Sequence, residues 1–146
     1  SVGLKRQMVA SPDLEPLATP AIPRAELPGD YVERLRSDLA RMRETLDRLL
    51  NTPIDRAPQI DRLYALLHNI RGPAQSANHE IVTRICTLAC GILQRHREPD
   101  DSILRAVKAH VEALDIIVAH DLPKDGGALS QQMVTQLESL AAAARG

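Results

Sequence analysis

Aromatic side chains are almost missing from this sequence: it has no Phe, no Trp and two Tyr in 146 residues. A core must therefore be built from Leu, Ile, Val, Ala and Met, and a hydrophobic fraction of 44% supplies enough of them. Aliphatic packing of this kind favours helices over a β-sandwich, where aromatic and β-branched residues dominate. The same shortage leaves little to stack nucleotide bases on. A net charge of −1 sets up no field to draw in a polyanion, so nucleic-acid binding is disfavoured.

Long apolar runs are absent too. None approaches the roughly 20 residues that span a bilayer. No secretory pattern opens the chain, which begins on Ser1 rather than Met, as a trimmed end would. The expectation is a soluble, cytoplasmic protein without a membrane span. Cysteine is limited to Cys86 and Cys90. Four residues apart on a helix, their Cβ atoms would lie about 5–6 Å from each other, whereas a disulfide needs about 3.8 Å. Two reduced thiols are expected, in keeping with a cytoplasmic setting. There is no GxxxxGK[ST] loop and no glycine-rich nucleotide lid, so no ATP site is expected, and Gly126-Gly127 reads as an isolated turn.

What is present is helical periodicity. The length suits one domain. Pro12, Pro16, Pro20, Pro23 and Pro28 interrupt any period over residues 1–28, which read as a flexible proline-rich arm ahead of a helical domain over 29–146. The first helix is expected from Gly29-Asp30, with Asp30 as N-cap and Glu33 completing a capping box. It should end at Asn51-Thr52-Pro53. Its apolar seam is Val32, Leu35, Leu39, Met42, Leu46 and Leu49. A second helix starts between Pro53 and Gln59, with Pro58 in its first turn. Its seam is Ile60, Leu63, Leu67, Ile70 and Ala74, and Pro73 should kink it.

A third helix runs over about 78–96 with Val82, Ile85, Cys86, Ala89 and Leu93 inward. A fourth follows Asp100 or Asp101 with Leu104, Val107, Val111, Leu114 and Val118 inward. A fifth, after the turn at Leu122-Pro123 and Asp125-Gly126-Gly127, should bury Leu129, Met133, Leu137, Leu140 and Ala144. No stretch alternates cleanly as a strand would. Short connections make neighbouring helices antiparallel. The fold expected is therefore all-α: an antiparallel up-down four-helix bundle with an additional C-terminal helix and a proline-rich N-terminal arm.

One stretch carries chemistry. His68 falls off the seam of the second helix, on a flank it shares with Asp61, Tyr64, Arg71, Gly72 and Gln75. Arg71 lies one turn on, where a guanidinium can meet a phosphoryl group on the imidazole. Gly72 removes a side chain beside the histidine at a cost of about 1 kcal/mol relative to Ala, which points to close approach by another body. Gln75, at the seventh position, can add a hydrogen bond.

Other candidates are weaker. His79, Cys86 and Cys90 share a helical face but lack a fourth ligand and the tight spacing of a zinc site, so no metal site is expected. His96, His110 and His120 read as surface or helix-end residues. The arginines of the first helix, interleaved with acids, read as a solvated face.

His68, Ile70, Arg71, Gly72 and Ala74 follow the order histidine, any residue, aliphatic, cation, glycine, then small residues. In this the stretch resembles the histidine-containing phosphotransfer (Hpt) domain. Val82, Ile85, Cys86 and Ala89 fall where that family places a small and aliphatic run on the next helix, and the likeness covers roughly residues 30–121. The resemblance implies a phosphocarrier of two-component phosphorelays, not an enzyme with kinase activity. The imidazole of His68 would take a phosphoryl group, through Nε2, from the aspartyl-phosphate of a receiver domain and pass it to another receiver. The partners implied are response-regulator receiver domains and a hybrid histidine kinase. No cofactor is implied on this chain, because magnesium belongs to the receiver's acidic pocket. A monomer is expected.

By the same resemblance, Arg71 would steady the phosphoryl oxygens and Gly72 would let the receiver close over the site. The sequence departs from the family at three positions. Pro73 stands where a small non-proline residue is usual, and Asn78 where a second glycine commonly lies. Cys90 stands where many members place a Gln or Glu that hydrogen-bonds the imidazole, which leaves that task to Gln75 or Gln94. The alternatives weighed are a degenerate member or a helical adaptor or dimerisation module without chemistry, motivated by the heptad-like seam of the first helix. The dimerising histidine domain of a sensor kinase is a third, and would need an ATP-binding domain beside it.

Overall fold

A computed structural model describes residues 27–52, 55–120 and 127–144. The arm expected over residues 1–28 lies almost wholly outside the described residues, as does the turn around Leu122-Pro123. The described residues form five α-helices and no strand: α1 (Gly29–Asn51), α2 (Ala57–Ser76), α3 (Glu80–Arg95), α4 (Asp101–Ala119) and α5 (Gly127–Ala143). Each of α1 to α4 packs on its chain neighbours, α4 also packs on α1, and α5 lies against α3 and α4. Buried residues from all five helices form one continuous aliphatic cluster. No helix among the described residues is long and apolar enough to cross a membrane.

The seams of α1 and α2 are where periodicity puts them. Leu35, Leu39, Met42, Leu46 and Leu49 are buried on α1, with Val32 half-buried, and α2 buries Ile60, Leu63, Leu67, Ile70 and Ala74. The α1 seam is thus covered by its own chain and is not on offer as a dimer seam. The start of α1 differs from the expectation. Pro28 is the N-cap, its carbonyl accepting from the Val32 amide, and no side chain caps the helix. Because Gly29 is already helical, Asp30 sits inside the first turn. Capping needs a residue outside the helical φ/ψ region, so no capping box forms, and the carboxylate is left to complement the helix dipole.

Asp100 caps α4, its Oδ1 accepting from the Ile103 amide at 2.9 Å. The Arg56 guanidinium reaches from the entry of α2 to the Asp101 carboxylate at 2.6 Å and the Pro99 carbonyl at 3.3 Å. It ties the α1–α2 connection to the α3–α4 connection.

Two expectations fail on α4 and α5. His110 is not a surface residue: it is fully buried, with its Nδ1–H donating to the Ala106 carbonyl at 2.7 Å and its Nε2 without a partner. The reason is breadth. With α1, α3 and α5 all packed on it, α4 also buries Ile103, Ala106, Ala113 and Ile117, a second face beside the predicted one. On α5 the buried row is Ser130, Val134, Leu137 and Ala141, whereas Leu129 is 56% and Leu140 38% exposed. Leu137 is common to the expected and the buried rows, and Met133 and Ala144 pack partly buried against the cluster, so the face is turned by less than the roughly 100° of one residue. An ion pair between Arg84 and Glu138 at 3.0 Å joins α3 to α5.

Burial pushes the pKa of His110 below the ordinary imidazole value, with the Ala106 carbonyl opposing in part. The unfolded chain then binds the more protons, so stability rises with pH through the window just below 6.5 and is lost as the pH falls. Urea midpoints are expected to decline from pH 7.5 to pH 5.5, with a slope of at most about 1.4 kcal/mol per pH unit from this residue. His110→Leu should flatten the decline. An unchanged slope would assign the acid sensitivity to other groups.

Candidate functional site

Position 68 is on α2 because the helix has one wide buried face and an open flank. Leu67 and Ile70 point into the core, so their neighbour His68 must point out, and it is exposed. Arg71, one turn further, places Nη2 3.4 Å from His68 Nδ1. A guanidinium only donates, so an imidazole that takes this bond accepts at Nδ1 and carries its proton on Nε2. No carboxylate among the described residues pairs with Arg71. The site therefore presents an exposed imidazole beside a cation whose charge is not neutralised locally.

Gly72 is exposed, and a Cβ built on it would meet no atom within 4 Å beyond its chain neighbours and its own helix backbone. This glycine stands directly before Pro73 inside α2, where the proline ring crowds a Cβ on the preceding helical residue, so the fold has its own use for a glycine here. Gly72→Ala should therefore gain less than the helix-interior difference of about 0.5–1 kcal/mol between the two residues, because the Pro73 ring opposes the new methyl group. Equilibrium urea unfolding measures it, and a loss of stability would mean that a Cβ does clash at this position.

Gln75 is exposed on the same helix but makes no hydrogen bond with the imidazole. It lies seven residues on, about 10 Å along the axis. The structure thus brings Arg71 to His68 and leaves Gln75 apart.

Tyr64 and Gln94, named from the sequence without a role for the tyrosine, meet the histidine from the other direction. One turn before the histidine, the Tyr64 ring lies nearly parallel to the imidazole, at 13° with centroids 6.3 Å apart. From α3, Gln94 Nε2 donates to Tyr64 Oη at 2.8 Å. Gln94 was one of two candidates to contact the imidazole directly; instead it holds the residue that stacks on it. The signal was one of the two tyrosines in the chain standing at i−4 from the histidine.

The structure places the three residues at which the sequence departs from the Hpt pattern. α2 runs through Pro73 as far as Ser76. Asn78 has φ 57, the left-handed region. Its amide donates to the Gln75 carbonyl, and that of His79 donates to the Ala74 carbonyl at 2.8 Å, which closes α2 in a Schellman motif. Asn is the residue after glycine that best tolerates this conformation, so the turn is kept without the glycine. Cys90 is buried beneath the site, and burial pushes its thiol pKa up while the charge of Arg71 pulls it down. Cys86 is raised further, by deeper burial and by Cys90, with Arg71 again opposing. Both are free thiols.

His79 is buried, and Tyr31 Oη lies 2.9 Å from its Nδ1, the two rings meeting edge to face. Burial, with a smaller contribution from Cys86, pushes the Tyr31 phenol upward in pKa. His79 and Tyr31 thus join the start of α3 to the start of α1. Among the described residues, no group of three His, Cys, Asp or Glu side chains is placed to hold a metal ion. An open cleft of about 450 Å³ lies at the far end of α2. Its charged lining includes Arg56, already engaged with Asp101, and it is about three turns from His68. Set against known proteins, the chain matches no family model, no curated protein and no solved structure.

Proposed function

We propose that this chain is a histidine phosphotransfer protein of a two-component phosphorelay, built as an antiparallel four-helix bundle of α1–α4 with α5 added to it. The observation that carries the reading is the exposed His68 with the Arg71 guanidinium, paired with no carboxylate among the described residues, 3.4 Å from its Nδ1, next to the exposed Gly72. An imidazole nucleophile, a cation for phosphoryl oxygens and an open approach are what phosphoryl transfer needs from the accepting side. The resemblance to the Hpt family adds the partner: a receiver domain bearing an aspartyl-phosphate and its own magnesium.

The transfer then runs as follows. As the receiver docks, Arg71 turns from Nδ1 to the incoming phosphoryl oxygens. The ring proton moves to Nδ1, and the Nε2 lone pair attacks phosphorus in line. An N–P bond forms while the P–O bond to the aspartate breaks, and the carboxylate leaves with the electron pair. The positive charge of Arg71 offsets the charge spread over the phosphoryl oxygens. The reverse sequence hands the group to a second receiver. The protein acts as a monomer in the cytoplasm.

The test is to incubate the protein with a phosphorylated receiver domain and map the product by mass spectrometry. An acid-labile, alkali-stable adduct on His68 is the expected result. An adduct on another residue, or none with a range of receivers, would overturn the reading. Gly72→Ala should transfer more slowly, because its methyl group stands where the receiver closes in.

A further inference from the structure

We infer that Tyr64 and Gln94 are positioning residues that hold the imidazole of His68 in its reactive orientation, an inference that rests on the phosphotransfer reading of the site. An exposed histidine on a helix ordinarily samples several rotamers. This one is flanked on both sides. Tyr64 lies nearly parallel to it, at 13° with centroids 6.3 Å apart, a strongly offset aromatic pair. Arg71 stands at its Nδ1 edge.

Tyr64 is itself held. Gln94 reaches across from α3 to its hydroxyl at 2.8 Å, so the ring cannot swing away without breaking an inter-helix hydrogen bond. A chain of contacts therefore runs from α3 through Gln94 and Tyr64 to the histidine on α2. Its geometry suits a nucleophile. Reaction at Nε2 needs that edge of the ring open, and a strongly offset ring alongside restrains the imidazole without a hydrogen bond to Nε2. A hydrogen-bonding residue at Nε2 would orient the ring equally well but block the reaction.

The pair could instead serve only to tie α2 to α3. The two roles differ in what they predict at His68. The ring protons of His68 are read in histidine-edited NMR spectra of the unphosphorylated protein, for wild type, Tyr64→Leu, Tyr64→Phe and Gln94→Leu. Transfer rates from a phosphorylated receiver are measured on the same proteins, with melting curves as the folding control.

In Tyr64→Leu the ring-current shift of the His68 protons should vanish, and transfer should slow by roughly twofold to tenfold, the range that aromatic pair energies correspond to. Tyr64→Phe and Gln94→Leu keep the ring but free it, so each should give a smaller shift change and a smaller, matching loss of rate. The Tyr64→Phe, Gln94→Leu double variant should be no slower than either single one, since both remove the same hydrogen bond. His68 shifts that do not move in Tyr64→Leu, or variants that transfer as fast as wild type, would overturn the positioning role alone. A wild-type protein that takes no phosphoryl group would overturn the reading of the site itself, whatever the spectra show.

Discussion

His68→Gln protein is expected to take up no label from a phosphorylated receiver, while its stability stays within about 0.5 kcal/mol of wild type. The first half follows from chemistry: a carboxamide nitrogen, its lone pair delocalised into the carbonyl, cannot form the N–P bond. The second follows from position. His68 is exposed, and its side-chain contacts are a 3.4 Å approach to Arg71 and a stack on Tyr64. Neither lies in the core, and Gln has the higher helix propensity. Gel-based transfer assays and urea unfolding measure the two halves separately. Label on the variant equal to that on wild type would remove His68 from the mechanism.

One residue earlier the balance reverses. Leu67 is fully buried in the shared aliphatic cluster. Leu67→Ala should cost about 2–5 kcal/mol, the transfer free energy of the lost methyl and methylene groups together with the cavity left behind. Against a total of about 5–15 kcal/mol for an ordinary domain, that is a large share. At low temperature, where enough protein remains folded, phosphoryl uptake per folded molecule should be close to wild type, because the imidazole and Arg71 are still displayed on the same helix. A loss below about 1 kcal/mol, outside the range of buried leucines, would mean that the core around α2 collapses to fill the gap. The neighbouring positions 67 and 68 thus separate folding from function on a single turn of helix.

The lack of aromatics makes such effects sharper. No Phe or Trp is present to dominate the core, so stability is spread over many aliphatic side chains of similar size. Each deletion then leaves a cavity bounded by other branched chains in fixed rotamers, rather than one that a large ring could lean into. The few polar groups inside stand out for the same reason. His110 Nε2 and Ser130 Oγ are buried without partners, and the first of these underlies the acid sensitivity expected of the fold.

Much of the site could be read before any coordinates. The order of His68, Arg71 and Gly72 along one helix, with Leu67 and Ile70 turned inward, is a matter of 100° per residue. The exposure of the histidine and the nearness of the arginine follow from it. Gln75 shows where this reasoning stops: sharing a flank does not amount to contact at a distance of two turns. Asn78 shows another limit, because its left-handed φ depends on how α2 closes, through bonds to Gln75 and Ala74.

The sequence by itself determined that the chain folds into helices, where α1 and α3 lie and where α4 starts to within a residue or two, and which faces of α1 and α2 are buried. These depend on local periodicity, proline placement and the scarcity of aromatics, all of which act over a few residues. Tertiary structure alone decided that α5 buries Ser130, Val134 and Ala141 in preference to Leu129 and Leu140, that His110 is enclosed, and that Gln94 holds Tyr64 against His68. Each depends on how closely two helices approach. That distance is set by the volumes of side chains far apart in sequence, which no single helix can encode.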